Sequence, residues 1–337
     1  MRSARLRIAV SCSVALAIIE TVAWLGFPAS GNERGAAQRL GAPTVSVAPA
    51  STISVAPSTT VSVAPSTTLP WPREGQAAVE VEGVGSLGSS GAPTPVPIAS
   101  VTKVMTAYVI LADHPLAQGK EGPAVTVDAT AAAESLSPDE STAPVREGQK
   151  FTERQLLELL LIPSGNNIAR LLARWDSGSQ EAFVARMNRT AVALGMTRTT
   201  YTGASGIEAS TRSTAVDQLK LAHEVMKNPA LREIVAIRST TVPGVPGTVD
   251  NTNTLLTKPG VIGLKTGSST PAGGALMWAA HAWTSKGADR RLVLGVVLHQ
   301  RPGTTPSEGL RTALTSSDQL ISAVQRGLPP TFAAHRG

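Results

Sequence analysis

The distribution of hydrophobic and polar residues divides the chain into four stretches. Residues 1–31 carry two apolar patches behind a basic start, and residues 32–75 form a low-complexity stretch without a long apolar run. Residues 76–329 show apolar positions that recur with the periods of strands and helices, which predicts one globular domain there. Residues 330–337 form a short tail.

The first stretch has the pattern of an export segment. Three arginines within the first seven residues precede an apolar run over residues 8–19, and Glu20 separates this run from a second patch around Trp24. A basic start followed by an apolar core is typical of a signal peptide or a signal anchor. The alternative, a buried helix of the folded domain, fits the basic flank poorly. We therefore expect an exported protein that contacts a membrane only through its N-terminus.

The second stretch is predicted to be an extended, flexible tether. An eight-residue pattern of Ser, Val, Ala, Pro and Thr begins at Ser46 and repeats from Ser54 and Ser62. Regular prolines with small hydroxyl residues cannot form a packed core. The tether therefore separates the N-terminal segment from the globular domain.

The globular domain begins with a strand and continues into helices. Residues 77–83 alternate between apolar and polar, which indicates a strand with one exposed face. Residues 100–112 predict a helix that is apolar around nearly its whole circumference, and such a helix is buried. Thr152 and Gln155 form a capping box at the start of another helix, which Pro163 ends, and a further helix continues through Trp175.

The C-terminal third of the domain has the pattern of strands. Residues 261–266, 275–283 and 291–299 predict three strands, with a turn at 285–289. Strands at both ends of the domain with helices between them indicate the α+β fold class.

Composition excludes several kinds of chemistry. Of 337 residues, 42% are hydrophobic and only 3% aromatic, so the core consists mainly of aliphatic side chains. The only cysteine, Cys12, lies in the export segment, which leaves no thiol chemistry and no disulfide for the domain. The five histidines lack metal-ligand spacing, and we expect neither a metal nor a cofactor.

Ser100 and Lys103 are the first candidates for catalysis. Three residues apart at a helix start, their side chains are neighbours on one face. A buried lysine has a lowered pKa, and its neutral amine would take the proton from a serine hydroxyl, which is a poor nucleophile without a base. Taken alone, the pair also fits a serine beside a snorkelling lysine.

Two later polar groups complete the candidate site. Ser164 and Asn166 lie in a bend between two apolar helices, although the same three letters, SGN, also occur at residues 30–32. Lys265 and Thr266 end a predicted strand, and Gly267 lets another backbone approach closely. Each group alone also fits an ordinary bend or strand end.

Together, the motifs S-x-x-K, S-x-N and K-T-G in this order are those of serine β-lactamases and penicillin-binding proteins. Over residues 76–328 the sequence resembles the D-alanyl-D-alanine carboxypeptidases, the low-molecular-mass penicillin-binding proteins. The stretches "ASVTKVMTAYV", "LLLIPSGNNIARLLA" and "NTNTLLTKPGVIGLKTGSSTPAGG" carry this resemblance. The resemblance implies a DD-peptidase/serine β-lactamase-like fold, in which an antiparallel sheet of about five strands abuts a mostly helical subdomain. The helices that flank this sheet include a terminal one around residues 316–326.

The resemblance also implies how the residues divide the work. Ser100 is the nucleophile, Lys103 its base and Ser164 a proton relay, while Asn166 holds Lys103 and the substrate. The residues expected to bind the substrate are Asn166, Lys265, Thr266, Gly267, Ser268 and Arg311. The backbone N–H groups of Ser100 and Ser268 are expected to form the oxyanion hole. Arg311 is expected to meet the substrate carboxylate, with Arg301 and Arg291 as alternatives. In this family an acidic residue commonly stands at the position of Asn167.

The implied function is removal of the terminal D-Ala from peptidoglycan stem peptides through an acyl-enzyme that penicillin also forms. One alternative is a class A-like β-lactamase, but Glu208 lacks the surrounding pattern of its deacylating glutamate. The other is a catalytically silent wall-binding or penicillin-sensing module. The implied partners are stem peptides ending in D-Ala-D-Ala and β-lactams. A net charge of +6 suits work among anionic wall polymers, and no basic aromatic stripe indicates nucleic acid.

Overall fold

The computed structural model describes residues 69–283 and 290–326, all within one compact unit, Ser62–Gly337. The predicted export segment (1–31), Cys12, the tether up to residue 68, the turn at 285–289 and the tail (330–337) lie outside the described residues. The last part of the predicted tether, residues 69–75, belongs instead to the folded domain. Leu69 is buried and Trp71 packs against the same apolar cluster, so the folded domain begins before Gln76.

The strands are, in chain order, β1 (Gln76–Val81), β2 (Gly85–Ser90), β3 (Val96–Pro97), β4 (Ala124–Thr126), β5 (Lys150–Thr152), β6 (Arg212–Ser213), β7 (Ser239–Thr240), β8 (Val249–Asp250), β9 (Val261–Ser269), β10 (Gly273–Trp283) and β11 (Arg290–Gln300). The α-helices are α1 (Lys103–Asp113), α2 (Ala129–Glu134), α3 (Glu153–Leu161), α4 (Asn166–Ser177), α5 (Gln180–Ala193), α6 (Ala215–Val225), α7 (Pro229–Val235) and α8 (Pro306–Arg326). Short 3₁₀ turns cover Ala99–Thr102 and Thr254–Thr257.

Five of the strands form one antiparallel sheet in the order β2-β1-β11-β10-β9. Strands from the two ends of the domain thus meet at the centre, where β1 pairs with β11. The predicted α+β class and the five-stranded antiparallel sheet are confirmed.

The sheet is covered on both faces. On one face, α8 contributes Leu320, Ile321 and Val324 to an apolar cluster with the sheet. On the other face, the sheet shares its core with the helical part of the domain. The expected exposed face of β1 is therefore wrong: Ala77, Val79 and Val81 pack under α8, while Ala78 lies in the core on the opposite side.

The helical part is built around α1, which is buried nearly all round as predicted. A 3₁₀ turn at Ala99–Thr102 precedes this helix, so α1 itself begins at Lys103. The Thr152 hydroxyl accepts from the Gln155 backbone N–H, and the Gln155 side chain accepts from the Thr152 N–H; this is the predicted capping box. Helix α3 ends at Leu161, just ahead of Pro163.

Within residues 69–283 and 290–326, no helix has the length and apolarity that crossing a membrane requires.

Candidate active site

Ser100 lies in the 3₁₀ turn that leads into α1, and this turn is packed between two glycines. A Cβ atom added to Gly267 of β9 would lie 3.0 Å from the backbone nitrogens of Ser100 and Val101. A Cβ added to Gly206, whose φ is +80°, would lie 2.0 Å from the Ala99 carbonyl oxygen. Only glycine permits backbones to approach this closely. The edge strand of the sheet therefore lies directly against the Ser100 turn.

Lys103 is completely buried one helical turn after Ser100. Its Nζ atom lies 2.8 Å from the Ser100 Oγ, 2.5 Å from the Asn166 Oδ1 and 2.9 Å from the Ser205 carbonyl oxygen. The predicted neighbours are thus in hydrogen-bonding contact, and none of the three partners is a carboxylate. Among the described residues, Lys103 therefore has no counter-ion in direct contact.

The environment of Lys103 favours its neutral form. Burial lowers the pKa of its ammonium well below the usual range, and the charges of Lys265 and Arg170 lower this pKa further. Glu140 and Glu208 act in the opposite direction. A neutral amine beside a serine hydroxyl is able to accept its proton.

Ser164 occupies the bend between α3 and α4 in an uncommon backbone conformation. Its φ of 71° lies in the left-handed region, which non-glycine residues rarely adopt outside functional or strongly constrained sites. The Ser164 hydroxyl is buried and has no hydrogen-bond partner among the described residues. Two residues later, the Asn166 backbone N–H donates to the Ser141 carbonyl, which fixes the bend against the loop before β5.

A carboxylate that the sequence motifs do not indicate joins the site at Asn166. The Asn166 Nδ2 donates to the Glu140 Oε2 at 2.7 Å, and Arg170 binds both oxygens of Glu140, at 2.5 and 3.2 Å. Arg170 lies one turn after Asn166 on α4, a spacing that would place it beside Asn166 on any helix. Glu140 lies in an irregular loop, so the sequence offered no periodicity that would locate it.

Asn167 stands where an acidic residue is common in the family that the sequence resembles. Its side chain contacts the backbone of a neighbouring loop and helix. Its side chain is fully buried and accepts from the Ala143 N–H at 3.0 Å. It also donates to the carbonyls of Ala131 and Ala143. Asn167 therefore connects α4 to the loop that carries Glu140.

Strand β9 places a second buried lysine in the site. Lys265 is 1% exposed, and burial lowers its pKa to about 7. Its Nζ lies 3.4 Å from the Thr266 Oγ1, which shares a 2.5 Å hydrogen bond with the Thr252 hydroxyl. The site thus contains two buried amines whose pKa values are both lowered.

An open cleft of about 470 Å³ lies at Ser100. Its lining includes Ser100, Asn166 and Ser268, together with Asp139 and Glu140. Within the described ranges there is no group of three or more His, Cys, Asp or Glu side chains arranged to hold a metal ion.

The structure does not bring Arg311 to this cleft. Helix α8 begins at Pro306, which does line the cleft, but Arg311 follows five residues later, about 140° further around the helix axis. Arg311 lines a different cleft, with Thr254 and Asp318. None of the described residues that line the Ser100 cleft is an arginine.

Known proteins match both the sequence and the fold. The family model described as D-alanyl-D-alanine carboxypeptidase matches residues 80–300. A D-alanyl-D-alanine carboxypeptidase of Streptomyces sp. (strain K15) is 35% identical over 215 residues, which are 59% of this chain and 71% of that protein. One of Mycobacterium tuberculosis is 38% identical over 159 residues, which cover 45% of this chain and 53% of that protein.

Solved structures of such enzymes are similar to this chain in fold. The crystal structure of a DD-transpeptidase from the same Streptomyces strain has a TM-score of 0.66 at 28% identity, covering 76% of this chain and 98% of that one. A D-alanyl-D-alanine carboxypeptidase structure from Mycobacterium tuberculosis has a TM-score of 0.64 at 30% identity, covering 77% and 95%. The matched family model spans most of the sheet, the Ser100 turn, the Ser164 bend and the Lys265 strand, and the chain belongs to the D-alanyl-D-alanine carboxypeptidase family.

Proposed function

We propose that this protein is a serine-type D-alanyl-D-alanine carboxypeptidase, which removes the terminal D-Ala of peptidoglycan stem peptides through an acyl-enzyme on Ser100. The observation that carries the proposal is the contact of the buried Lys103 Nζ with the Ser100 Oγ at 2.8 Å, in surroundings that favour the neutral amine. A nucleophile in contact with its base is the arrangement that covalent catalysis requires.

The first step acylates Ser100. As its Oγ attacks the carbonyl carbon of the penultimate D-Ala, the hydroxyl proton moves to the Lys103 Nζ and negative charge develops on the carbonyl oxygen. We assign the backbone N–H groups of Ser100 and Ser268 to this oxyanion. The close packing of Gly267 against the Ser100 turn supports the pairing, since it holds these two segments together. One such donor is worth about 10²–10³ in rate.

The second step releases D-Ala. The C–N bond breaks, and the leaving nitrogen takes a proton that Ser164 relays from Lys103. A buried hydroxyl without another hydrogen bond among the described residues is suited to such a relay. Water then attacks the ester, Lys103 takes the proton of the water, and Ser100 regains a proton as the shortened peptide leaves.

Lys265 and Thr266 are assigned to the terminal carboxylate of the substrate. Lys265 has no carboxylate partner among the described residues, and an incoming carboxylate would stabilise its ammonium form. Arg311 is left out of this assignment because it lines another cleft.

The location of the substrate sets where the enzyme works. Members of this family act on cell-wall peptidoglycan, so the domain acts outside the cytoplasm. We propose that residues 1–31 direct export and attach the protein to the membrane if they are retained, and that residues 32–68, with their repeats, act as a tether. β-Lactams, which react with the nucleophile of this family, would acylate Ser100. The family and its relatives do not favour the alternatives of a β-lactamase or a silent module.

The test is release of D-Ala from diacetyl-Lys-D-Ala-D-Ala by the purified protein. We expect release by the wild type and none by Ser100→Ala. Ser239→Ala, at an exposed serine on β7, serves as the matched control and is expected to act like the wild type. Release that survives in Ser100→Ala, or no release by the folded wild type, would contradict the proposal.

A further inference from the structure

Glu140 is bound to the side of Asn166 that faces away from Lys103. Its Oε2 accepts from the Asn166 Nδ2 at 2.7 Å, and both of its oxygens accept from Arg170. Arg170 also pairs through its Nε with Glu134 at 2.9 Å. A chain of contacts therefore runs from Glu134 through Arg170, Glu140 and Asn166 to Lys103.

The carboxylate determines which end of the Asn166 amide faces Lys103. An amide can present either its oxygen or its NH₂ group to a neighbour, whereas an ionised carboxylate only accepts hydrogen bonds. Glu140 therefore holds the Nδ2, and the Oδ1 is left facing the Lys103 Nζ at 2.5 Å. With the NH₂ end turned towards Lys103, the amide would be a donor there.

The orientation of that amide decides where the Lys103 lone pair points. A neutral amine has two N–H donors and one lone pair. Asn166 Oδ1 and the Ser205 carbonyl oxygen are both acceptors, at 2.5 and 2.9 Å, so they take the two N–H groups. The remaining position, 2.8 Å from the Ser100 Oγ, is the one that the lone pair occupies.

We infer that Glu140 is a positioning residue for acylation: by fixing the Asn166 amide, it directs the Lys103 lone pair at the Ser100 hydroxyl. This inference rests on the proposed function, since it assigns a role in the same reaction. Glu140 acts through Asn166 and is not itself the base, because both of its oxygens are occupied by Arg170 and Asn166.

Glu140 and Arg170 carry opposite charges, so they shift the pKa of Lys103 in opposite directions. The charged groups that act on Lys103 come from four segments: Lys265 on β9, Arg170 on α4, Glu140 in the loop before β5, and Glu208 in the loop before β6. Glu140 favours the ammonium form of Lys103 and Arg170 disfavours it. Neutralising Glu140 therefore moves the pKa of Lys103 down, and neutralising Arg170 moves it up.

The experiment measures the second-order rate of acylation by benzylpenicillin from pH 5 to pH 10. For Glu140→Gln we expect the plateau rate to fall about ten- to hundredfold, because the amide is no longer fixed and small misplacements in a site have effects of this size. The acid limb of its profile moves to lower pH. For Arg170→Met the acid limb moves to higher pH.

Glu134→Gln is the matched control, since Glu134 pairs with the same arginine but does not contact Asn166. We expect its acid limb to stay at the wild-type pH and its plateau to stay within about twofold of wild type, as is usual for a partly exposed ion pair. Thermal unfolding of each variant shows whether it folds. If Arg170→Met does not fold, the comparison of Glu140→Gln with Glu134→Gln carries the test.

The outcomes separate the inference from the function on which it rests. If folded wild-type protein is not acylated at all, the proposed function fails. If the wild type is acylated and Glu140→Gln has the wild-type plateau and acid limb, the inference alone fails. The inference also fails if Glu140→Gln and Glu134→Gln lose rate equally with unmoved limbs, because that result shows a structural role only.

Discussion

Replacing Lys265 with methionine is expected to stabilise the fold while it removes activity. Lys265 is 1% exposed, and burial lowers its pKa from 10.5 to about 7. Because a tenfold change in a protonation equilibrium is worth about 1.4 kcal/mol, this difference costs about 4 kcal/mol of folding free energy at pH 7. Methionine has a similar length and fills the space without this cost.

The pH dependence has a defined sign. Between pH 7 and 10.5 the unfolded chain binds more protons at Lys265 than the folded protein does, so wild-type stability falls as the pH decreases through this range. The free energy of unfolding of Lys265→Met is therefore expected to exceed that of the wild type by about 4 kcal/mol at pH 7 and by about 1 kcal/mol at pH 9.5. The kcat/KM of Lys265→Met for D-Ala release falls by about 10² or more, because the substrate carboxylate loses a preorganised cationic partner.

Equilibrium urea unfolding at the two pH values measures the stability, and D-Ala release measures the activity. Lys258→Met is the matched control: Lys258 is partly exposed and bonds Asp318 and Ser322, so its loss costs up to about 1 kcal/mol. A Lys265→Met variant that is no more stable than wild type at pH 7, or whose added stability does not shrink at pH 9.5, would contradict a lowered pKa of Lys265 in the folded protein.

Three further changes test other parts of the account. Gly267→Ala places a Cβ 3.0 Å from the Ser100 nitrogen, and we expect penicillin acylation to slow about tenfold or more in a protein that stays folded; an unchanged rate would show that this contact is not needed. Glu153 is fully buried, and burial raises its pKa to about 7. Between pH 4.5 and pH 7 the folded protein therefore keeps a proton on Glu153 that the unfolded chain has released. Glu153→Gln should therefore gain about 3 kcal/mol relative to wild type at pH 8 and less than about 1 kcal/mol at pH 5 in urea unfolding; equal gains at both pH values would contradict this. Asn167→Asp loses the donor to two backbone carbonyls and buries a charge, so we expect a loss of about 3 kcal/mol or more, and a wild-type urea midpoint would contradict the structural role of Asn167.

Part of the site could be predicted because local signals mark it. The three-residue spacing of Ser100 and Lys103 predicted that their side chains are neighbours, although Ser100 lies in a 3₁₀ turn ahead of α1, and the capping box at Thr152 fixed where α3 begins. The strand that carries Lys265 and Thr266 was visible as an apolar run before a glycine, although β9 continues to Ser269. Local rules were sufficient for these features, and the family resemblance supplied their assembly.

The features that the sequence did not indicate depend on tertiary contacts. Strand β2, with the sequence GSLGSS, has a low intrinsic preference for strand and forms because β1 pairs with it. The predicted final helix began at residue 316, whereas α8 begins at Pro306, so Arg311 lies within a helix and on a side that faces another cleft. Glu140 lies in a loop, and only the folded chain brings it to Asn166.

The most direct test of the central claim is the site and lifetime of the penicillin adduct. Purified protein is mixed with benzylpenicillin, intact mass is followed from seconds to hours, and the labelled peptide is sequenced by tandem mass spectrometry. We expect one penicilloyl group on Ser100 that persists after free penicillin is removed, and none in Ser100→Ala. An adduct on another residue, no adduct on folded protein, or rapid turnover of penicillin without an adduct would contradict this expectation.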